Sequence, residues 1–285
     1  MKSFCIKINN NIIQDYLLNN LLNLELDYTY ISKNTFSKYK NVIIHYTGNN
    51  INQFYNYLSN VLTNCILYYF EDILLKKQID FDYFYFSELE KKQILNIASS
   101  LLDTEQEYFS RDNLIYNAVY EYIKSEKSMI LGGFVFFRLY EYIKLLNKLV
   151  DSSVNQFLIQ REYFEFINLL KIYIASSASQ IDSVHLVYIN NHNFLLDKNY
   201  NIIPIKEDFF QTKYVSDISF SENDYILNTL LTILPSKITI HSTSSNLNDE
   251  FIHTLKLIFE DRISICTDCS ICNLYKVQNS SNITK

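Results

Sequence analysis

Three of the chain's five cysteines fall within seven residues, as Cys266, Cys269 and Cys272 in the segment CTDCSIC. Thiolates three positions apart converge on one ion or cluster when the backbone turns tightly between them. The C-x2-C-x2-C spacing also reproduces the first three positions of a bacterial ferredoxin-type iron–sulfur run. It lacks the fourth cysteine and the proline that follow in that run. A structural zinc takes four ligands, so a zinc site here needs one more from elsewhere in the chain.

His241 is the candidate. The sequence predicts a βαβ unit from a strand over Lys237–His241, a helix over Asn248–Glu260 and a strand over Arg262–Cys266. A right-handed crossover makes such strands parallel, with their carboxyl ends on the rim where open α/β sheets bind ligands. If the two strands are neighbours, the His241 imidazole and the three thiolates form a Cys3His set. The expected cofactor is zinc, with an iron–sulfur cluster as the alternative. Packed, inert thiols or redox-active thiols are the competing readings. A disulfide is the poorest, since nothing directs the chain to an oxidising compartment.

The other chemically capable residues read as structural. Cys65 lies on an apolar helix face as a small buried hydrophobe, and Cys5 alternates with Lys7 on the outer side of the first strand. His45 and His185 sit inside strand patterns, and His192 lies in a turn between asparagines. His253, on the last helix, is the weaker candidate for a fourth ligand. Ser242–Asn246 precedes that helix, where serine and asparagine serve as caps and the free amides could also hold an anion. Arg138, on a very apolar stretch, is expected to form a structural ion pair with a buried Glu162 or Glu165. Gly132-Gly133 has no phosphate-loop pattern around it and is expected to break or closely pack two helices. Neither a G-x-S-x-G elbow nor an H-E-x-x-H motif occurs, so no catalytic residue is assigned.

The elements that must position these residues indicate an α+β fold. Residues 1–80 read as an N-terminal βαββα unit, opened by the alternation of Phe4, Ile6 and Ile8. Strands are expected near Leu26–Ile31 and Asn41–Tyr46. Phe54, Leu58, Val61, Cys65 and Tyr69 then give a helical face. Residues 81–178 read as a central helical bundle with helices of three to five turns. Ser87 with Glu90, and Thr104 with Glu107, have capping-box spacing. Leu139, Ile143, Leu146, Val150, Val154 and Phe157 trace one stripe, and Tyr163, Ile167, Leu170 and Ile174 another. Residues 179–275 read as a C-terminal α/β unit ending in the cysteine loop. It holds a strand through Val184–Tyr188, a turn over Asp197–Asn201, a strand ended by Pro204 and a helix over Tyr225–Leu234. Residues 276–285 are a polar, disordered tail.

Composition narrows the function classes. The 285 residues include 24 Tyr, 20 Phe, only 3 Gly and 2 Pro, with 48% hydrophobic residues, so the chain is expected to be globular. The longest uncharged apolar run, Met129–Phe137, is too short to span a membrane. The amino terminus has no signal-peptide pattern, so a cytoplasmic location is expected. Net charge is −6, and the only arginines are Arg111, Arg138, Arg161 and Arg262, widely spread. This argues against nucleic acid as a partner.

One combination of segments goes further. Gly133-Phe134-Val135-Phe136-Phe137-Arg138-Leu139 is followed by Asp151, by Glu162-Tyr163-Phe164-Glu165-Phe166-Ile167 and by Ile181-Asp182-Ser183-Val184-His185. With the terminal cysteine cluster, this resembles the YtxC-like family of endospore-forming bacteria, over roughly residues 110–272. The resemblance implies a bacterial context and a role in sporulation. It implies no activity, substrate or catalytic residue. The function expected is a non-enzymatic cytoplasmic protein that binds an unknown protein partner through its aromatic-rich bundle. The alternative is an iron–sulfur redox protein or enzyme.

Overall fold

The computed structural model describes residues 1–22, 27–36, 38–104, 110–189, 192–204, 221–242 and 249–273. The fold is α+β, and the chain divides into two compact units, Met1–Gln160 and Arg161–Lys285.

In the first unit the order is β1 (Lys2–Ile8), α1 (Asn11–Leu22), β2 (Thr29–Phe36), β3 (Tyr39–Tyr46), α2 (Ile51–Asp82), α3 (Glu88–Thr104), α4 (Arg111–Ser125), β4 (Ser128–Ile130) and α5 (Leu131–Arg138). The sheet order is β2-β3-β1-β4. Phe4 pairs across from Ile44 and Ile6 from Val42 in an antiparallel register. All four point to one face and are buried, as period-two alternation requires. The helices cover that face, and a single core runs from Phe4 to Phe157.

Two helices are long, and the second exceeds the three to five turns expected of the bundle. α2 has 32 residues, and α6 (Tyr140–Ser176) has 37. Neither contains a glycine or proline, the residues that would interrupt an intrahelical ladder. The Asn50 side chain caps α2 by accepting from the Gln53 amide. The Ser87–Glu90 capping box forms at the start of α3. Thr104 instead donates back to the Ser100 carbonyl at the end of α3, and Glu107 lies outside the described residues. So does Leu26, the expected start of the second strand, whose described part begins at Thr29.

The two apolar stripes of α6 serve different cores. Leu146, Val150, Val154 and Phe157 belong to the first unit's core, whereas Ile167 and Ile174 belong to the second's, with Tyr163 and Leu170 packed against it.

Two expectations for the apolar run at 129–138 are corrected. β4 occupies its start and pairs in parallel with β1, so Gly132 and Gly133 stand in the first turn of α5, directly after a strand. They do not mediate close packing between helices, since a Cβ on Gly132 would meet nothing within 4 Å. Arg138 is exposed, as are Glu162 and Glu165. The burial expected of an Arg138 pair with Glu162 or Glu165 is therefore not found, and Glu165 lies 3.6 Å from Arg161. The reason is the length of α5: its first five residues bury Leu131, Phe134 and Val135, and the helix ends at Arg138. A cation there complements the carboxyl-terminal end of the helix dipole. A half-buried ion pair lies elsewhere among the described residues. Arg111 Nε is 3.1 Å from Glu71 Oε2, and the Tyr142 hydroxyl donates to the same oxygen at 2.6 Å.

The second unit holds the end of α6, then β5 (Ile181–Ile189), β6 (His192–Leu196), β7 (Ile202–Ile203), α7 (Glu222–Ile233), β8 (Pro235–Ser242), α8 (Glu250–Phe259), a 3-10 turn at Glu260–Arg262 and β9 (Ile263–Cys266). The sheet order is β7-β6-β5-β8-β9, with β5, β8 and β9 mutually parallel. β7 is an edge strand that ends before Pro204, where the lost backbone donor does no harm. Val184, Leu186, Ile238 and Ile240 turn one sheet face to the core with Ile226, Leu230, Ile252 and Leu255 from α7 and α8. The alternate residues, including His185, Thr239 and His241, face the other side.

Candidate metal centre

His241 and the cysteines are brought together by the sheet register and one tight turn. The crossover through α8 makes β8 and β9 parallel neighbours, and His241 lies beside Cys266. The chain then bends, and a helical turn begins at Ser270. Cys269 caps that turn: its Sγ accepts from the Cys272 amide at 3.4 Å, and its carbonyl accepts from the Asn273 amide at 2.9 Å. The turn carries Cys272 back under His241, where both are buried.

The four ligand atoms lie within 4.8 Å of one another. His241 Nδ1 is 3.3 Å from Cys269 Sγ and 3.5 Å from Cys272 Sγ. Cys272 Sγ is 3.6 Å from Cys269 Sγ and 3.9 Å from Cys266 Sγ. These are not bonding distances, and all five cysteines are free thiols. Tetrahedral zinc with Zn–S of about 2.3 Å and Zn–N of about 2.05 Å would set its ligands about 3.8 Å (S to S) and about 3.6 Å (N to S) apart. The residues therefore fit a single tetrahedral ion, and the group could hold one. In a cubane cluster each cysteine binds a different iron, which spreads the thiolates beyond direct mutual contact.

The electrostatics favour a thiolate at Cys269 and a neutral imidazole at His241, but oppose ionisation of Cys272. Burial raises the Cys269 thiol, but hydrogen bonds from the Cys272 and Ile271 amides and from the other two thiols outweigh it and leave its pKa below the ordinary 9.0. Burial raises the Cys272 thiol. Burial also lowers His241, with His185 adding to the effect, which keeps a neutral imidazole available as a ligand.

The remaining candidates stand apart. His253 is exposed on α8, so it is not the fourth member of this group. His45 bonds to Ser3 through Nδ1 at 2.7 Å in the first unit's sheet. Cys65 is buried within α2, its pKa raised to about 12 by burial, and Cys5 is half-buried on β1. Residues 243–246 of the serine-rich segment lie outside the described residues. His185 lies in β5, inside a strand as expected, and its Nδ1 lies 2.9 Å from His241 Nε2, a contact the sequence did not indicate. Its signal was its parity on β5, but that becomes legible only once β5 is known to pair with β8.

The sequence profile of the YtxC-like family matches residues 56–264. The chain belongs to the YtxC-like family. A relative, the uncharacterized protein YtxC of Bacillus subtilis (strain 168), is 21% identical over 216 residues, covering 73% of this chain and 76% of its own length. No solved structure matches. The YtxC-like match includes His185 and His241 but stops two residues before Cys266, so the three thiols lie beyond the matched span. No helix among the described residues is long and apolar enough to cross a membrane.

Proposed function

We propose that this YtxC-like protein is a non-enzymatic, partner-binding protein whose C-terminal unit is held together by one zinc ion in a closed Cys3His site made of His241, Cys266, Cys269 and Cys272. The observation that carries this reading is the ligand spacing: S to S separations of 3.6 and 3.9 Å and N to S separations of 3.3 and 3.5 Å, all near those of a mononuclear tetrahedron. Four protein ligands leave no open position for a substrate, which is the arrangement of structural rather than catalytic zinc. The ion would tie the end of β8, the end of β9 and the cysteine turn together.

Partner binding is supported by exposed aromatic residues at the α2–α3 junction, with Phe81 79% and Phe84 74% exposed beside Tyr85 and Leu89. Large exposed apolar side chains gathered at one junction are of the kind found at interaction sites. The sporulation role belongs to the same reading and rests on the family resemblance. A strain lacking the protein is expected to form fewer heat-resistant spores, and wild-type spore counts would remove the sporulation role.

The deciding experiment is anaerobic purification without a histidine tag, followed by zinc, iron and sulfide analysis. About one zinc per chain without sulfide is expected. Stoichiometric iron and sulfide would replace the reading with an iron–sulfur protein, and neither metal would leave three packed thiols.

A further inference from the structure

We propose that His185 selects the nitrogen through which His241 meets the thiols, by accepting the proton on His241 Nε2. The inference rests on the metal-site reading and extends it from the ligands to the residue that orients them. Both close thiols face His241 Nδ1. A nitrogen that binds a metal must present a lone pair, so the single proton of a neutral His241 sits on Nε2. His241 is 4% exposed, and a buried N–H needs an acceptor. His185 Nδ1 stands 2.9 Å from Nε2. To accept there, His185 must carry its own proton on Nε2.

The fold holds His185 for this task. It lies on β5 opposite Thr239 of β8, two residues before the position opposite His241, and parallel pairing puts both imidazoles on one face. The β6–β7 turn covers it: the His185 and Tyr200 rings are 4.8 Å apart between centroids. Tyr200 takes a left-handed backbone, φ 64°, a conformation rare for a bulky residue. Asp197 sustains it, its Oδ1 accepting from the amides of Asn199 and Asn201 at 2.8 Å each. Its backbone N–H donates to the Asn201 carbonyl at 2.9 Å. A metal-bound histidine commonly donates its second N–H to a carboxylate or a backbone carbonyl; here the acceptor is another imidazole.

The test uses the full chain, zinc competition with a chromophoric chelator, and two variants. His185→Leu removes the acceptor, and zinc affinity is expected to fall about 10–100-fold. His185→Asn can place an amide oxygen near the former Nδ1 and is expected to recover most of the loss. Equal affinity for wild type and His185→Leu overturns the role of His185 while leaving the metal site intact. An Asn variant as weak as the Leu variant also overturns it. Wild-type protein that binds no zinc overturns the metal site and this inference together. Should the Leu variant fail to fold, imidazole nitrogen NMR of zinc-loaded wild type decides. Protons on Nε2 of both His241 and His185 are expected, and a proton on His241 Nδ1 refutes the proposal.

Discussion

His241 and Cys266 are register partners on adjacent parallel strands, β8 and β9, at the carboxyl-terminal rim of the sheet. Two groups 25 residues apart in sequence are therefore placed side by side by backbone pairing alone, before any ion binds. The remaining two thiols depend on a single tight turn. That division predicts where metal matters: the strands are set by the core, and the cysteine turn by the ion.

Cys269→Ser is accordingly expected to lower zinc content and the melting temperature, because structural metal binding contributes folding free energy. A chelator should lower the wild-type melting temperature towards that of the variant and leave the variant unchanged. Cys5→Ser, on β1 of the other unit, is the control. Equal metal content and melting in wild type and Cys269→Ser would exclude Cys269 as a ligand.

The Glu71 carboxyl gives a pH signature. Burial raises its pKa above the ordinary 4.5, against the opposing pull of the Tyr142 hydrogen bond and the Arg111 charge. A group raised in the folded state contributes stability that is complete below its unfolded value and is lost as pH rises through the folded value. The stability of wild type relative to Glu71→Gln should therefore shrink as pH rises above the ordinary 4.5, in urea melts at each pH. A difference that grows with pH would mean that the Arg111 charge, not burial, dominates.

Much of this was legible in the sequence, and the misses share a cause. The alternation of Phe4, Ile6 and Ile8 and the order around Lys237–Cys266 marked strands because each is a local pattern. The crossover put the ends of both strands on one rim, while their being neighbours was left open and comes from the strand register. β4 was missed because three residues at the edge of an apolar run carry no period of their own. The single α6 was hidden because the apolar positions read as two separate stripes, Leu139–Phe157 and Tyr163–Ile174. The contact of His185 with His241 was hidden because the two lie 56 residues apart, across a strand pairing that no local pattern announces.

The two arginines separate burial from apolar context. Arg111→Ala leaves Glu71 and the Tyr142 hydroxyl without their cation, and the cost should be about 3 kcal/mol. That is the lower end of the range for orphaning a buried charge, since the Arg111 side chain keeps 21% exposure. Arg138→Ala, at an exposed helix end, should cost less than about 0.5 kcal/mol. Urea unfolding of both variants checks the pair, and a larger loss at Arg138 would refute the assignment.

The glycines make a sharper contrast. Gly132 lies in the first turn of α5 with open space where a Cβ would stand. Gly132→Ala removes backbone freedom from the unfolded chain and should stabilise by about 0.4–1 kcal/mol. At Gly48 a Cβ would collide with the Tyr46 ring and hydroxyl. That ring cannot yield freely, because Tyr46 is buried on β3 and stacks on Phe54 at 5.2 Å between centroids. Gly48→Ala should therefore destabilise by about 1–3 kcal/mol, the usual cost of overpacking. Thermal melts of the two variants should move in opposite directions. A Gly48→Ala protein as stable as wild type would mean that the Tyr46–Phe54 stack can shift without loss, and that the turn after β3 does not require glycine.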